Sequence, residues 1–310
     1  MTAIATAPPS GLAPAKGTGM RKVKNSMATV LVTLAFLIAL VPLVWLLWTV
    51  ISKGLHALTR NGWLTTDQGV LTFSDPGGGA LHGIIGTLEQ VAITTIISVP
   101  IALLVAVYLV EYGRGPLART TTFMVDILTG IPSIVAALFI YAIFFKYLNA
   151  HFAGIWVSLA LVLLMIPVVV RTTEEMLKLV PNELREASYA LGIPKWKTIV
   201  KIVLPTAFTG IITGVVLGVA RVAGETAPLL ILDQYSKFTN SNPFSGAQAA
   251  LPLVIKDQVS NLGVTHTFTG GVAANYAPDR MWGAALTLII IVMLLNLVAR
   301  LIGRFNKIAE

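Results

Sequence analysis

The chain has 310 residues, of which 55% are hydrophobic and only 12% are charged, and its mean hydropathy is +0.81. This composition is too apolar for an ordinary soluble domain and predicts a protein embedded in a lipid bilayer. The net charge of +8 does not indicate nucleic acid, which we do not expect as a partner, because Lys and Arg in a membrane protein report on topology. The absence of cysteine excludes disulfides and thiolate metal sites.

The first 26 residues are rich in Ala, Pro, Gly and Thr, and they predict a disordered tail over 1–26. The remainder, 27–310, is predicted to be one all-α transmembrane domain, since a spanning helix needs about 20 apolar residues. Six segments are long enough to span the membrane: about 27–51, 83–110, 121–145, 154–176, 205–232 and 281–302. Pro100 and Pro132 are the predicted kink sites.

Orientation follows from the basic residues between these segments. Fourteen Lys and Arg residues fall on the same side as the N-terminus and six on the other side. Because positive charge concentrates on the cytoplasmic side, both termini are predicted to be cytoplasmic. The first long loop (about 52–82) and the second long loop (about 233–280) are then external, either as plain connections or as a docking surface. Residues Ala249–Val259 predict a short interfacial helix in the second loop.

The charged interruption at 180–205 predicts two short cytoplasmic helices. Pro181 ends the fourth span, Asn182 is a candidate cap for the helix that follows, and Gly192 is suited to ending that helix in a left-handed conformation. The second helix has Trp196 on an apolar face, which predicts that it lies at the membrane interface before Pro205 opens the fifth span. Amphipathicity alone favours a simple helical linker that Lys and Trp anchor at the lipid surface.

The spacing of residues in this segment is typical of a known family: Glu186-Ala187-Ser188 is followed four residues after Ser188 by Gly192 and later by Leu204-Pro205. The segment resembles the EAA loop of ABC-importer permeases, with Ser188 where that family has Ala, and it is called the EAA-like segment below. In that family the loop is a coupling helix that docks on an ATP-binding subunit. The residues that carry this expected role are Glu186, Ala187, Ser188, Gly192, Leu204 and Pro205. The chain has no G-x-x-x-x-G-K-[ST] loop, so we expect ATP and Mg to be used by separate ATPase subunits and no cofactor to be bound by this chain.

Ionisable residues inside the predicted spans are costly and therefore candidates for function. Arg221 and Glu225 are four residues apart, which would place them on one helix face. The two residues form either a structural ion pair or an anion site. In the anion site, the Arg221 guanidinium binds the anion, and Glu225 alternately holds and releases Arg221. These interpretations are compatible with each other.

The other ionisable residues have weaker signals. Arg171 is either a pathway arginine or a residue that extends to the cytoplasmic surface. Asp126 is expected to pair with an arginine. Glu89 is interpreted mainly as a satisfied polar residue near a helix end. The fifth span also has a glycine at every fourth position, namely Gly210, Gly214 and Gly218. This pattern favours close packing between helices.

Several further runs, including "ARVAGETAPLL", "DILTGIPSIVAALF" and "MWGAALTLIIIVMLLNLVARLI", are together similar to the A-type permease subunit of the phosphate-specific ABC importer. The resemblance implies a type I ABC-importer (MetI-like) fold with six transmembrane helices in the bacterial inner membrane, and a permease without an ATPase site of its own. It implies a second permease subunit, two copies of an ATP-binding subunit and an extracytoplasmic phosphate-binding protein as partners. The expected substrate-pathway residues are Arg221, Glu225, Arg171, Thr226 and Asp126.

Three other functions are left open by the sequence. A permease for sulfate or molybdate would share most of these features. A secondary transporter would typically have a repeated half, which the sequence lacks, and would not have an EAA-like segment. A membrane enzyme is least expected, because the four histidines are scattered without metal-ligand spacing.

Overall fold

The computed structural model describes residues 19–263, 267–268, 271–272 and 274–305, and these residues are almost entirely helical. The helices are α1 Gly19–Leu58, α2 Leu81–Val107, α3 Gly115–Gly130, α4 Ser133–Ile140, α5 Gly154–Lys178, α6 Asn182–Ala190, α7 Lys195–Thr198, α8 Leu204–Ala223, α9 Ala227–Leu232, α10 Leu251–Ser260 and α11 Ala277–Phe305. Three π-helical turns continue α2, α4 and α7, respectively Tyr108–Tyr112, Tyr141–Tyr147 and Ile199–Val203. One small antiparallel hairpin pairs β1 Thr267–Phe268 with β2 Gly271–Val272. The all-α prediction is confirmed.

The part of α1 up to Thr49 forms a compact unit of its own. Its apolar side chains, such as Leu31, Phe36 and Trp45, are exposed on all sides, as suits a helix surrounded by lipid or by other helices. Because α1 begins at Gly19, the predicted disordered tail is wrong for residues 19–26, which are helical. Residues 1–18 lie outside the described residues.

Within the described residues, five helical segments are long and apolar enough to cross a membrane, and the bent pair α3–α4 makes a sixth if it counts as one span. The axes of α3 and α4 meet at 107°, so the segment predicted over 121–145 is bent, and the kink predicted at Pro132 is confirmed. The break falls at Pro132, which has no N–H and whose ring would clash with the carbonyl four residues earlier in a continuous helix. By contrast, α2 runs through Pro100 as a single helix.

The predicted span 205–232 is also divided. Helix α8 ends at Ala223 and α9 begins at Ala227, because Pro228 cannot donate the hydrogen bond that would engage the carbonyl of Gly224. At its other end, the helical segment that contains α8 starts at Lys195 and passes through the π-helical turn before Pro205. The separate interfacial helix predicted before Pro205 is therefore the first part of the span.

Helix α5 is the central element of the larger unit, Val50–Glu310, because it packs against α2, α3, α4, α8 and α9. The glycines of α8 allow its backbone to approach α5 closely, as predicted. A Cβ atom on Gly214 would lie 2.2 Å from Thr172 Oγ1, and one on Gly210 would lie 2.2 Å from Met176 Sδ. Both contacts are far shorter than a real Cβ contact, so the α5–α8 interface requires glycine.

The two long loops form one folded layer. The buried Arg280 of α11 donates to the carbonyl oxygens of Thr72, Asp75 and Gly77, at 2.8, 2.6 and 3.0 Å. The backbone N–H of Gly69 in the first loop donates to the carbonyl of Lys237 in the second. The predicted helix in the second loop is present as α10, which packs against α2 and α11.

Replacing Gly214 with Leu is expected to destabilise the α5–α8 interface by about 1–3 kcal/mol, because the new side chain must displace Thr172. The midpoint of thermal unfolding in detergent measures this effect. The neighbouring Thr213→Leu is the matched control, since Thr213 is exposed on the same helix. Equal midpoints for the two variants would contradict the close packing.

Candidate functional site

The first group of candidate residues lies between α3 and α5. Arg171 donates from one terminal nitrogen to Asp126 Oδ1 and from the other to Glu174 Oε2, the latter at 2.8 Å. Lys178 donates to the second oxygen of Glu174 at 2.7 Å. The predicted pairing of Asp126 with an arginine is confirmed. These four residues, called the Arg171 cluster below, have balanced charges, and the Arg171 guanidinium is held on both sides.

The second group lies at the break between α8 and α9. The side chain of Arg221 is 53% exposed, and its Nε atom is 3.9 Å from Glu225 Oε1, at the outer limit of an ion pair. Among the described residues, no hydrogen bond engages the terminal nitrogens of Arg221. Glu225 lies beyond the end of α8, so the two residues meet across the break and not along one continuous helix as predicted. Thr226 is half-buried and directly precedes α9.

The two groups are separate in the fold. Thr172, next to Arg171, contacts α8 at Gly214, whereas Arg221 is about 10 Å further along the α8 axis at 1.5 Å per residue. In the part of the chain that the structure describes, no hydrogen bond or ion pair joins the Arg171 cluster to Arg221 or Glu225. The five predicted pathway residues thus form two groups at different heights along α5 and α8.

The EAA-like segment folds into α6, a sharp turn and the start of the α7–α8 helical segment. Gly192 has the left-handed backbone predicted for it, with φ of +74°. Ser188 is buried and its hydroxyl is 2.7 Å from that of Thr198, which ties α6 to α7. Glu186 and Ala187 are exposed, while Leu204 and Pro205 are partly buried at the start of α8. Asn182 does not cap α6, because it is the first helical residue and its side chain accepts a hydrogen bond from Arg185 at 3.3 Å.

Sequence reasoning missed an ion pair that holds this segment. Arg185 donates to Glu111 Oε1 from Nη2 at 2.9 Å and from Nε at 3.1 Å. Both side chains are largely buried, at 12% and 5% exposure. The two residues are 74 positions apart, and neither stands out from its local sequence, so no pattern in the sequence indicates their contact.

Two further acidic side chains, near or in the second long loop, accept hydrogen bonds. Glu89 accepts a hydrogen bond from Gln248 Nε2 at 2.6 Å, which agrees with its interpretation as a satisfied polar residue. Asp233 Oδ1 accepts from the backbone N–H groups of Gln234 and Gln248, while burial raises the pKa of its carboxyl to about 7. Within the described residues, no three His, Asp or Glu side chains cluster as metal ligands would.

Known proteins resemble this chain in sequence over most of its length. Residues 98–306 match the family model "Binding-protein-dependent transport system inner membrane component". The "Phosphate transport system permease protein PstA 1" of Mycobacterium tuberculosis is 52% identical over 91% of this chain and 88% of the relative. "Phosphate transport system permease protein PstA" of Pasteurella multocida is 40% identical over 91% of this chain and 95% of the relative.

Solved structures resemble it in fold. A chain of a bacterial alginate ABC transporter superposes with a TM-score of 0.65 at 12% identity, covering 94% of this chain and 99% of that one. A chain of the MetNI methionine ABC transporter, in inward-facing conformations, gives 0.54 at 19% identity over 74% of this chain and 94% of that one. At such low identities these likenesses show the fold alone, which is that of ABC-importer permeases. From the sequence relatives, the chain belongs to the binding-protein-dependent transport inner membrane components and, among them, to the phosphate transport system permease proteins.

Proposed function

We propose that this chain forms part of the pathway of an ATP-driven phosphate importer and that Arg221 binds the phosphate in transit. The names of the relatives support the substrate. The observation that carries the role of Arg221 is its loose pairing, with 3.9 Å to Glu225 and half of its side chain exposed. Arg171, in contrast, is already held by two carboxylates.

The chemistry of Arg221 suits this substrate. A guanidinium presents a planar set of N–H donors that matches two oxygens of a phosphate at once. Glu225 competes for the same guanidinium, which limits how tightly an anion is held. The break at 224–226 is consistent with this role, because irregular backbone inside a membrane protein is tolerated where it is buried or faces a water-filled cavity. Thr226 at this break offers a further hydroxyl to the anion.

The Arg171 cluster is the second anion-binding position in the proposed pathway. Asp126 is the more exposed of the two acids, with 59% of its side chain accessible. An anion that approaches Arg171 has to replace Asp126, and the like charges of the anion and Asp126 repel each other. The cluster would therefore pass phosphate on more readily than it would hold it.

Family membership supports an assembly of several different subunits. The proposed complex contains a second permease subunit, two ATP-binding subunits that use ATP and Mg, and an external phosphate-binding protein. Both termini and the EAA-like segment face the cytoplasm, as the distribution of Lys and Arg favours. Exposed Glu186 and Ala187 would meet the ATPase, while Ser188, Gly192, Leu204 and Pro205 would set the shape of the segment.

Replacing Arg221 with Ala is expected to lower phosphate uptake at least about tenfold, because a charge-assisted hydrogen bond contributes about 1.5–3 kcal/mol. Arg221→Lys should restore only part of the uptake, since Lys lacks the planar fork. Uptake by the assembled complex in proteoliposomes provides the measurement. Arg119→Ala, at an exposed position on α3, is the control. Normal uptake by Arg221→Ala with intact assembly would refute the pathway role.

The substrate is tested by competition in the same proteoliposomes. With the binding protein and ATP present, we expect radiolabelled phosphate to accumulate and its presence to stimulate ATP hydrolysis. An equal concentration of sulfate or molybdate should leave both rates nearly unchanged. Preferential transport of either oxyanion would overturn the assignment of phosphate.

The turn at Gly192 provides a test of the coupling role. Gly192→Val should weaken ATPase binding and uptake, because a β-branched residue is strained at a φ of +74°. Gly192→Asn is the matched variant: Asn tolerates the left-handed region, and a Cβ at this position has no neighbour within 4 Å. Co-purification of the ATPase and uptake are the measurements. If Val and Asn behave alike, the backbone conformation of Gly192 does not matter for coupling.

A further inference from the structure

The ion pair between Glu111 and Arg185 joins two parts of the chain that are otherwise separate in sequence. Glu111 lies in the π-helical turn that continues α2, and Arg185 lies on α6 inside the EAA-like segment. With only 5% of the Glu111 side chain and 12% of the Arg185 side chain exposed, the pair is largely shielded from solvent. A shielded pair is weakened less by salt than a surface pair, and losing one partner leaves the other buried and uncompensated.

Arg185 also binds the end of α5. Its Nη1 donates to the carbonyl of Val180 at 2.6 Å, and its Nη2 donates to the carbonyl of Leu177 at 3.0 Å. Leu177 lies in the last turn of α5, where carbonyls have no partner within the helix, and Val180 follows two residues after the helix ends. One guanidinium thus connects α2, the end of α5 and α6. A Lys at this position could not make these bonds together, because its donors radiate from a single nitrogen.

A second contact holds the other side of the same turn. Lys195, at the start of α7, donates to the backbone carbonyl of Glu111, and its ammonium lies 4.5 Å from the centre of the Tyr112 ring. The Ser188–Thr198 hydrogen bond closes the segment on itself. The end of α2 therefore contacts the EAA-like segment on both sides of Gly192.

We infer that Glu111 is a positioning residue for coupling: through Arg185 it fixes α6 to the ends of α2 and α5, so that displacement of α6 moves both helices. This inference rests on the proposed coupling role of the EAA-like segment. Glu111 itself is not assigned any contact with phosphate or with the ATPase. Without the ion pair, α6 keeps its contact with the end of α5 but loses its side-chain link to the end of α2. Part of the ATP-driven displacement of α6 then no longer reaches α2.

The experiment compares Glu111→Gln with Glu175→Gln in the assembled complex. Gln keeps the size of Glu and an acceptor oxygen but removes the charge. Glu175 is an exposed acid near the end of α5 and serves as the control. Arg185→Lys is the second variant, which keeps the positive charge and so preserves the fold if Glu111→Gln does not assemble. Because the chain has no cysteine, spin labels can be attached at Glu183→Cys and Arg114→Cys, on α6 and just beyond α2.

In nucleotide-free complex, we expect Glu111→Gln and Arg185→Lys to broaden the distance distribution between the two labels, and Glu175→Gln to leave it unchanged. The ratio of phosphate transported to ATP hydrolysed should fall about tenfold in Glu111→Gln, within the usual range of coupling between two sites. ATP hydrolysis itself should persist. An unchanged distance distribution would overturn the inference, and so would a broadened one with an unchanged ratio, which would make the ion pair merely structural.

The spin-label result does not depend on which substrate is transported. If the complex with the unmodified chain fails to import phosphate, the proposed function fails while the distance measurement still tests the ion pair. If phosphate is imported normally and Glu111→Gln resembles the control in both measurements, the inference alone fails.

Discussion

The close contact between α5 and α8 is the constraint on which the other features depend. Gly210, Gly214 and Gly218 allow the α8 backbone to lie directly on α5, so the two helices are held in register by steric fit. Helix α5 carries Arg171 and leads into the EAA-like segment, while α8 leads out of that segment and carries Arg221. Both candidate groups are therefore connected to the EAA-like segment through one rigid pair of helices.

Proline creates the irregular places in this otherwise helical chain. Pro132 and Pro228 each remove a backbone donor and end the preceding helix, leaving α4 and α9 as short helices. These short helices pack against each other and against α5, which shields them on those sides. Backbone polar groups at such breaks need partners inside the protein or water in a cavity, since lipid offers none. Arg221 lies in the last turn of α8 and Glu225 lies within the break before α9, so irregular backbone and charge occur at the same place.

Features that depend on neighbouring residues could be predicted from the sequence, and so could two tertiary contacts that have a sequence signal, the pairing of Asp126 with an arginine and the packing at the α8 glycines. A tertiary contact without such a signal could not. Hydropathy identified the membrane-spanning regions, and the left-handed turn at Gly192 followed from its place at a helix end. The break at Pro228 follows from the same rule that proline ends helices, although the apolar run over 205–232 continues through it. The pairing of Glu111 with Arg185 depends on how α2 lies beside α6, which no local pattern encodes.

Arg171 and Arg221 differ in how tightly carboxylates hold them, and this difference affects how each would bind an anion. Arg171 makes bonds to both Asp126 and Glu174, so an anion can bind there only by replacing a carboxylate. Among the described residues, the Arg221 side chain is paired only with Glu225, at 3.9 Å, which lowers the cost of exchanging Glu225 for a phosphate. An arginine with no carboxylate nearby would bind phosphate strongly in a low-dielectric pathway and release it slowly. On the proposed function, the distance of 3.9 Å between Arg221 and Glu225 represents a compromise, near enough to aid release and far enough to permit binding.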